Sequence, residues 1–286
     1  MHAALKLINH RFQQPDPGAT GTPGVAAPPV SMVSQQPGTT PLVLDSPHSG
    51  TFYPHDFGAV CDLPTLRRAE DTHVEKIYAF APALGVAWVE AHFPRIYLDA
   101  NRDTTELDTT LLDGEWTDPI STDPKVLSKV RLGKGLIWKF TDEGEPIYNR
   151  LLSVAEVRAR IDRCWRPYHG AVAQAIDAAH ARHGYSIHIN CHSMPAVAAS
   201  HATEFPGMVH ADFVVGDRDG STASPAQARA AAGISSSAEA PRFSQSHGKK
   251  HPMISHSAVA KKSSVVLSVK PVKNGMPANI SSPRPL

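Results

Sequence analysis

No aspartate or glutamate follows Glu239, although lysine, arginine, serine and proline continue to the end of the chain. Cysteine is also scarce. Cys61, Cys164 and Cys191 are an odd number without paired spacing, which argues against a disulfide framework and for a reducing compartment such as the cytoplasm. No apolar run approaches the roughly 18–20 residues that cross a bilayer, and Met1 to Lys6 lacks the long apolar core of a secretory signal. With a formal charge of only +1, nothing overall points to nucleic acid or an acidic membrane as partner. Two compact catalytic signatures are missing as well. No H-E-x-x-H places two imidazoles on one helix, and neither Ser49 nor Ser193 lies in G-x-S-x-G.

What is present divides the 286 residues into three stretches. Residues 1–40 read as a disordered leader, because the Pro, Gly, Ala, Ser and Thr of Gln13–Thr40 offer little apolar surface to offset the entropy of ordering. Residues 41–224 alternate short apolar runs with helical stretches, the pattern of an α/β layered core. Residues 225–286 read as a basic, Ser/Pro-rich tail of poor order.

Within the core, Leu42–Leu44, Val86–Val89 and Ile96–Leu98 are expected strands, and a helical stretch after Asp71 is expected to bury Val74, Ile77 and Tyr78. Ser153 and Glu156 form a capping box, followed by Val157, Ile161, Cys164, Tyr168, Val172, Ile176 and Ala179 at spacings of three and four. Gly184 closes this helix, and Pro167 should distort it. Tyr185–Cys191 then alternates as a strand.

Two histidines fall just beyond expected strand ends, His48 after Leu42–Leu44 and His192 after Ile187–Cys191, where α/β folds build their sites. A catalytic zinc site takes three imidazole or carboxylate ligands and keeps one position open. Glu70-Asp71 is the best acidic pair between them, with Asp71 favoured, although each histidine could equally be an ordinary core or surface residue. Asn101-Arg102 emerges behind Asp99, so Arg102 could clamp a substrate carboxylate or form an ion pair with Asp99 or Asp103. Arg166, Tyr168 and His169 crowd the expected kink, and Gly216–Ser221 is a polar turn. The serines after His48 and His192 suit orienting roles better than nucleophilic ones.

Five segments occur in a telling order: Ser46-Pro47-His48-Ser49-Gly50, Glu70-Asp71-Thr72-His73-Val74-Glu75, Leu98-Asp99-Ala100-Asn101-Arg102, Trp165-Arg166-Pro167-Tyr168-His169 and Asn190-Cys191-His192-Ser193-Met194. Together they resemble the N-formylglutamate amidohydrolases over about Pro41–Ser221. The resemblance implies a three-layer α/β/α sandwich with a mixed, mostly parallel sheet, like that of the zinc exopeptidases. It implies Zn2+ or another divalent metal on His48, Asp71 and His192, with Asn101 and Arg102 where related enzymes hold a substrate carboxylate; His192, Arg102 and Glu70 are the expected catalytic set. Asn101, Arg102, Arg166 and His169 would bind a small N-acyl amino acid. The implied reaction is hydrolysis of N-formyl-L-glutamate to glutamate and formate during histidine breakdown.

Two departures stand beside it. Asn190 occupies a position where the family usually has aspartate, and the later Asn-x-Pro-Tyr-x-Gly and Gln-x-Glu stretches are missing. The alternative reading is therefore a catalytically impaired member that retains a metal- and carboxylate-binding pocket.

Overall fold

A computed structural model describes residues 31–198, 206–210, 213–216, 243–246 and 264–270. The strands are β1 (Val33–Gln36), β2 (Leu42–Ser46), β3 (Ala87–Ala91), β4 (Leu112–Asp113), β5 (Leu152–Ser153), β6 (Ile187–Met194), β7 (Phe213–Gly216), β8 (Phe243–Ser246) and β9 (Ser264–Lys270). Seven of them form one sheet in the order β1-β3-β2-β6-β9-β7-β8, while β4 and β5 pair separately. The sheet is mixed. β1 runs antiparallel to β3 and β9 antiparallel to β6, and the pairings β2–β3, β2–β6, β7–β9 and β7–β8 are parallel.

Strand alternation sends side chains to two faces, and helices cover both. The α-helices are α1 (Leu63–Arg67), α2 (Val74–Ile77), α3 (Pro124–Arg131), α4 (Val154–Arg160) and α5 (Arg166–His183). Val43 of β2 and Ala87, Val89 and Ala91 of β3 share one core with Tyr168, Val172, Ala175 and Ala179 of α5. Leu44, Trp88 and Cys191 point the other way, into a second core with Val74 of α2. The expected α/β/α sandwich is thus the observed one, and each fully buried Val or Leu in it contributes about 1.5–3 kcal/mol.

The ends of the sheet reach beyond the expected core. β1 forms within the stretch read as a leader, and its backbone caps the edge of β3. Within the stretch read as a tail, the Val-rich Ser264–Lys270 segment enters between β6 and β7 as β9, and Phe243–Ser246 pairs with β7 as β8. Met1–Val30, Asp217–Ser221 of the polar turn and the rest of the tail lie outside the described residues.

Three local expectations are corrected. Ile96–Leu98 is a buried turn, with the Tyr97 and Leu98 N–H groups both donating to Pro94 O at 3.0 and 3.3 Å. A short apolar run reads alike in a strand and in a buried turn, and only a sheet partner would separate them. In α2, Val74 is buried but Ile77 is 36% exposed, since this one-turn helix turns a single side chain inward. β6 continues to Met194, so His192 lies inside a strand and not beyond its end, because pairing with β9 persists after β2 has left.

The helix start is as expected. Ser153 Oγ accepts from Glu156 N at 3.1 Å, and Glu156 Oε2 accepts from Ser153 N at 2.8 Å. The distortion expected from Pro167 takes the form of a π-helical turn at Ile161–Trp165, in which Arg166 N–H donates to Ile161 O. Pro167 sits in the first turn of α5, where its missing donor and its ring are accommodated by the widened turn before it.

Candidate active site

The site forms where β2 and β6 part. Their parallel register ends at Asp45↔Asn190, after which Ser46-Pro47 carries β2 out of the sheet while β6 continues against β9. That divergence opens a crevice at strand ends, where ligands bind in open α/β sheets. The turn that follows needs Gly50, because a Cβ there would lie 2.3 Å from Phe93 O. His48, held in this turn, is buried at 1% exposure, and its backbone O accepts from Asp71 N at 3.0 Å.

Asp71 comes from the connection between α1 and α2, in which His73 takes a left-handed conformation at φ 70°. Among described residues that backbone is unusual for a residue other than glycine, and it lies two positions from Asp71. Asp71 Oδ2 is 2.7 Å from His192 Nδ1 and 3.5 Å from His48 Nδ1, and it also accepts from Ser193 N at 3.3 Å. One ligand atom from each of His48, Asp71 and His192 lies within 4.8 Å of the others. The structure therefore brings together the three residues placed by resemblance, 23 and 121 positions apart along the chain.

A second ring of groups fixes these side chains. Asp99, with no exposed surface, accepts on Oδ1 from His48 Nε2 at 2.7 Å and Asn101 N at 2.9 Å. Its Oδ2 accepts from Arg95 Nη2 at 3.2 Å and Trp138 Nε1 at 3.1 Å. Arg95 also reaches Asp71 Oδ1 at 3.4 Å and lies over the Trp138 ring, so one guanidinium joins both carboxylates. Arg95 and Trp138 had no sequence signal of their own; the only trace is an arginine four residues before an aspartate inside an apolar run.

The electrostatics follow from this packing. Burial would raise the Asp71 and Asp99 carboxyls, but the His192 hydrogen bond with His48 and Arg95 outweighs it at Asp71, and His48 with Arg95 outweighs it at Asp99, so both are held well below the usual range. Burial and Arg95 work against a charged His48, yet Asp99 and Asp71 leave its pKa raised. For His192 burial prevails and the pKa is lowered.

The other expected site residues are distributed as follows. Asn101 Nδ2 is 3.1 Å from His192 Nε2 and 3.5 Å from Asn190 Oδ1. Arg102, next along, pairs with Glu106 at 3.4 Å, and its backbone O accepts from the Trp165 indole at 2.8 Å. His169 Nε2 bonds Ala100 O at 2.9 Å and its ring lies 4.1 Å from that of Trp165. The π turn and the start of α5 thus hold the loop that carries Asn101 and Arg102. Arg166 faces outward, 61% exposed and paired with Asp162. Glu70 accepts from Tyr53 at 2.8 Å and from Arg67 at 3.3 Å, outside the three-residue cluster, and burial raises its carboxyl pKa against both partners.

The donor set passes a test for a divalent cation. His48 Nδ1 is buried, makes no hydrogen bond, and faces a carboxylate oxygen that already faces a second imidazole. Its other nitrogen is held by Asp99, the outer carboxylate that fixes a ligating imidazole. Two imidazoles and one carboxylate suit zinc or a similar ion with an open position.

A mixed α/β sandwich that gathers such a set at the mouth of parallel strands defines a class, the α/β sandwiches with a candidate metal centre at their strand ends. Within that class, residues 40–249 match the N-formylglutamate amidohydrolase family model, and the chain belongs to this family of hydrolases acting on amide C–N bonds. It is 28% identical over 215 residues to an N-formylglutamate deformylase of Pseudomonas aeruginosa, covering 73% of this chain and 71% of that one. A Pseudomonas putida N-formylglutamate deformylase is 29% identical over 210 residues, covering 71% and 68%. Among solved structures, the N-formylglutamate amidohydrolase from Ralstonia eutropha JMP134 superposes with a TM-score of 0.67 at 35% identity, over 84% of this chain and 86% of that one. The Agrobacterium tumefaciens gene product Atu2144 shares the fold, with a TM-score of 0.51 at 15% identity over 75% and 73%.

Proposed function

We propose that the chain hydrolyses the amide bond of an N-acyl amino acid, N-formyl-L-glutamate foremost, to glutamate and formate in a metal-dependent reaction. The observation that carries this reading is the His48–Asp71–His192 cluster, with its buried, unpartnered His48 Nδ1. The names of the Pseudomonas relatives supply the substrate.

His48, Asp71 and His192 would hold the ion. When bound, a divalent cation supplies Lewis acidity, which polarises a carbonyl and activates water at neutral pH. Asp99 keeps the proton of His48 on Nε2, so that Nδ1 presents its lone pair to the site. Arg95 braces Asp71 against Asp99 and holds both as anions. Asn101 and Arg102, at the rim beside His192, bind the substrate carboxylate, and Trp165 with His169 set the height of their loop. In the overall reaction water adds to the formyl carbon, the C–N bond breaks, and a proton passes to the leaving nitrogen. Glu70 is our candidate for delivering that proton, because burial favours its neutral form at a pH where an exposed carboxyl is charged.

Formate release from N-formyl-L-glutamate, with N-acetyl- and N-succinyl-glutamate as controls, tests the reading. We expect turnover that chelation abolishes and zinc restores, reduced to background by His48→Ala or His192→Ala. Asp99→Asn should cost about 10–100-fold, as loss of an outer-shell carboxylate does. Metal uptake without formate from any of the three substrates would replace hydrolysis with binding.

A further inference from the structure

Beneath the metal-competent cluster lies a second buried polar group that the reaction above leaves unused. Asp45, the last residue of β2 in register with β6, has 1% of its surface exposed. Three side-chain donors among the described residues converge on it. His188 Nε2 lies 2.8 Å from Oδ1, and Oδ2 accepts from Asn190 Nδ2 at 2.8 Å and from the Tyr168 hydroxyl. A carboxylate buried this deeply in the sheet needs such partners, but the partners also have a direction. Because Asn190 gives its Nδ2 to Asp45, its Oδ1 must face the other way, toward Asn101 Nδ2 at 3.5 Å. That same Asn101 Nδ2 lies 3.1 Å from His192 Nε2, which accepts from it with the ring proton on Nδ1, donated to Asp71 at 2.7 Å. A continuous line of oriented groups therefore runs from a buried anion to the imidazole at the site.

We propose that Asp45 and Asn190 act as one carboxylate–amide pair that positions His192 through Asn101, with a single negative charge placed on β2. The cross-strand register explains why position 190 carries an amide. Asp45 and Asn190 are Cα partners on one face of parallel strands, so a second carboxylate at 190 would sit 2.8 Å from the first, and the two could not both ionise. Moving the charge across the pair should be tolerated, whereas doubling it should not. Asp45 and Asn190 are positioning residues, since neither belongs to the three-residue cluster. The inference rests on the metal reading above.

A double-mutant cycle on the full chain tests it, with zinc affinity measured by calorimetry on the chelator-stripped protein, alongside kcat, KM and melting temperature. Asn190→Asp alone should weaken zinc binding by about 10–100-fold, as loss of an outer-shell contact does. Asp45→Asn with Asn190→Asp, which exchanges the two side chains, should restore zinc affinity to within about threefold and recover kcat more than KM. A purely structural role would move melting temperature without moving zinc affinity, and that result overturns the proposal. So does an exchange variant that binds zinc no better than Asn190→Asp, or, should the single variant fail to fold, one more than tenfold weaker than the unmodified chain. Absence of zinc uptake by the unmodified chain would instead refute the metal reading, and this inference with it.

Discussion

At the scale of single residues, burial separates the three thiols. Cys164 and Cys191 have no exposed surface, whereas Cys61 is partly open and donates to Pro146 O at 3.3 Å. Burial pushes the Cys164 thiol up to about 12, against the opposing Arg163 charge, and raises Cys191 as well. One equivalent of thiol should therefore react with a disulfide reagent in the native protein, and three after denaturation; a second fast equivalent would show that β6 or the π turn opens readily. The same scale shows what a sequence reader can reach. His48 and His192 were legible from their positions after apolar runs, and Asp71 was favoured over Glu70 between them before the resemblance pointed to the same residue. The Asp71 and Glu70 side chains diverge, one to the histidines and one to Tyr53. Arg95 was invisible because its two carboxylate partners lie four residues ahead in the same buried turn and 24 residues behind in another connection. Asp45 escaped for a different reason: its meaning depends on which residue faces it across β6, and register is not written in either strand alone.

At the scale of elements, the entrance to α4 joins two devices on one side chain. Glu156 closes the capping box on Ser153 N, and it takes the Arg150 guanidinium through two bonds of 3.0 and 2.7 Å. Arg150 chiefly, then Ser153, outweighs burial and lowers the Glu156 carboxyl from 4.5 to about 2. A carboxyl depressed on folding stabilises the native state above its unfolded pKa and loses that contribution as pH falls through the folded value. Glu156→Gln keeps the neutral cap and removes the charge, so it should lower stability by roughly 0.5–1 kcal/mol at pH 7. Urea titrations should show this difference shrinking between pH 4.5 and about 2, whereas a constant difference would place its origin elsewhere. This capping box was fully legible, since it is local. The Ile96–Leu98 turn was not, because three buried apolar residues carry no mark of whether a neighbouring strand exists.

At the scale of the molecule, the cluster joins β2, β6 and the α1–α2 connection, which are otherwise separated along the chain. A cation bound there opposes unfolding of the whole sheet, with about 2.7 kcal/mol expected at a free concentration of 100 Kd. Zinc should raise the melting temperature of the unmodified chain and leave His48→Ala unmoved; an equal rise in both would assign the effect to adventitious sites. The α/β layering was legible from alternating apolar runs and the mixed-sheet sandwich from the resemblance, but β9 was legible in neither, since a region without acids read as tail and its partners lie far along the chain.

Changes of chain length should not be tolerated equally across this architecture. The π turn carries surplus backbone between α4 and α5, so losing one residue there would produce a more regular helix, the direction that local energetics favour. Each residue of an α-helix advances the azimuth by about 100°. The more regular helix would thus swing Trp165 and His169 away from Ala100 and Arg102, and the rim of the crevice would lose its footing even as the helix behind it gained order.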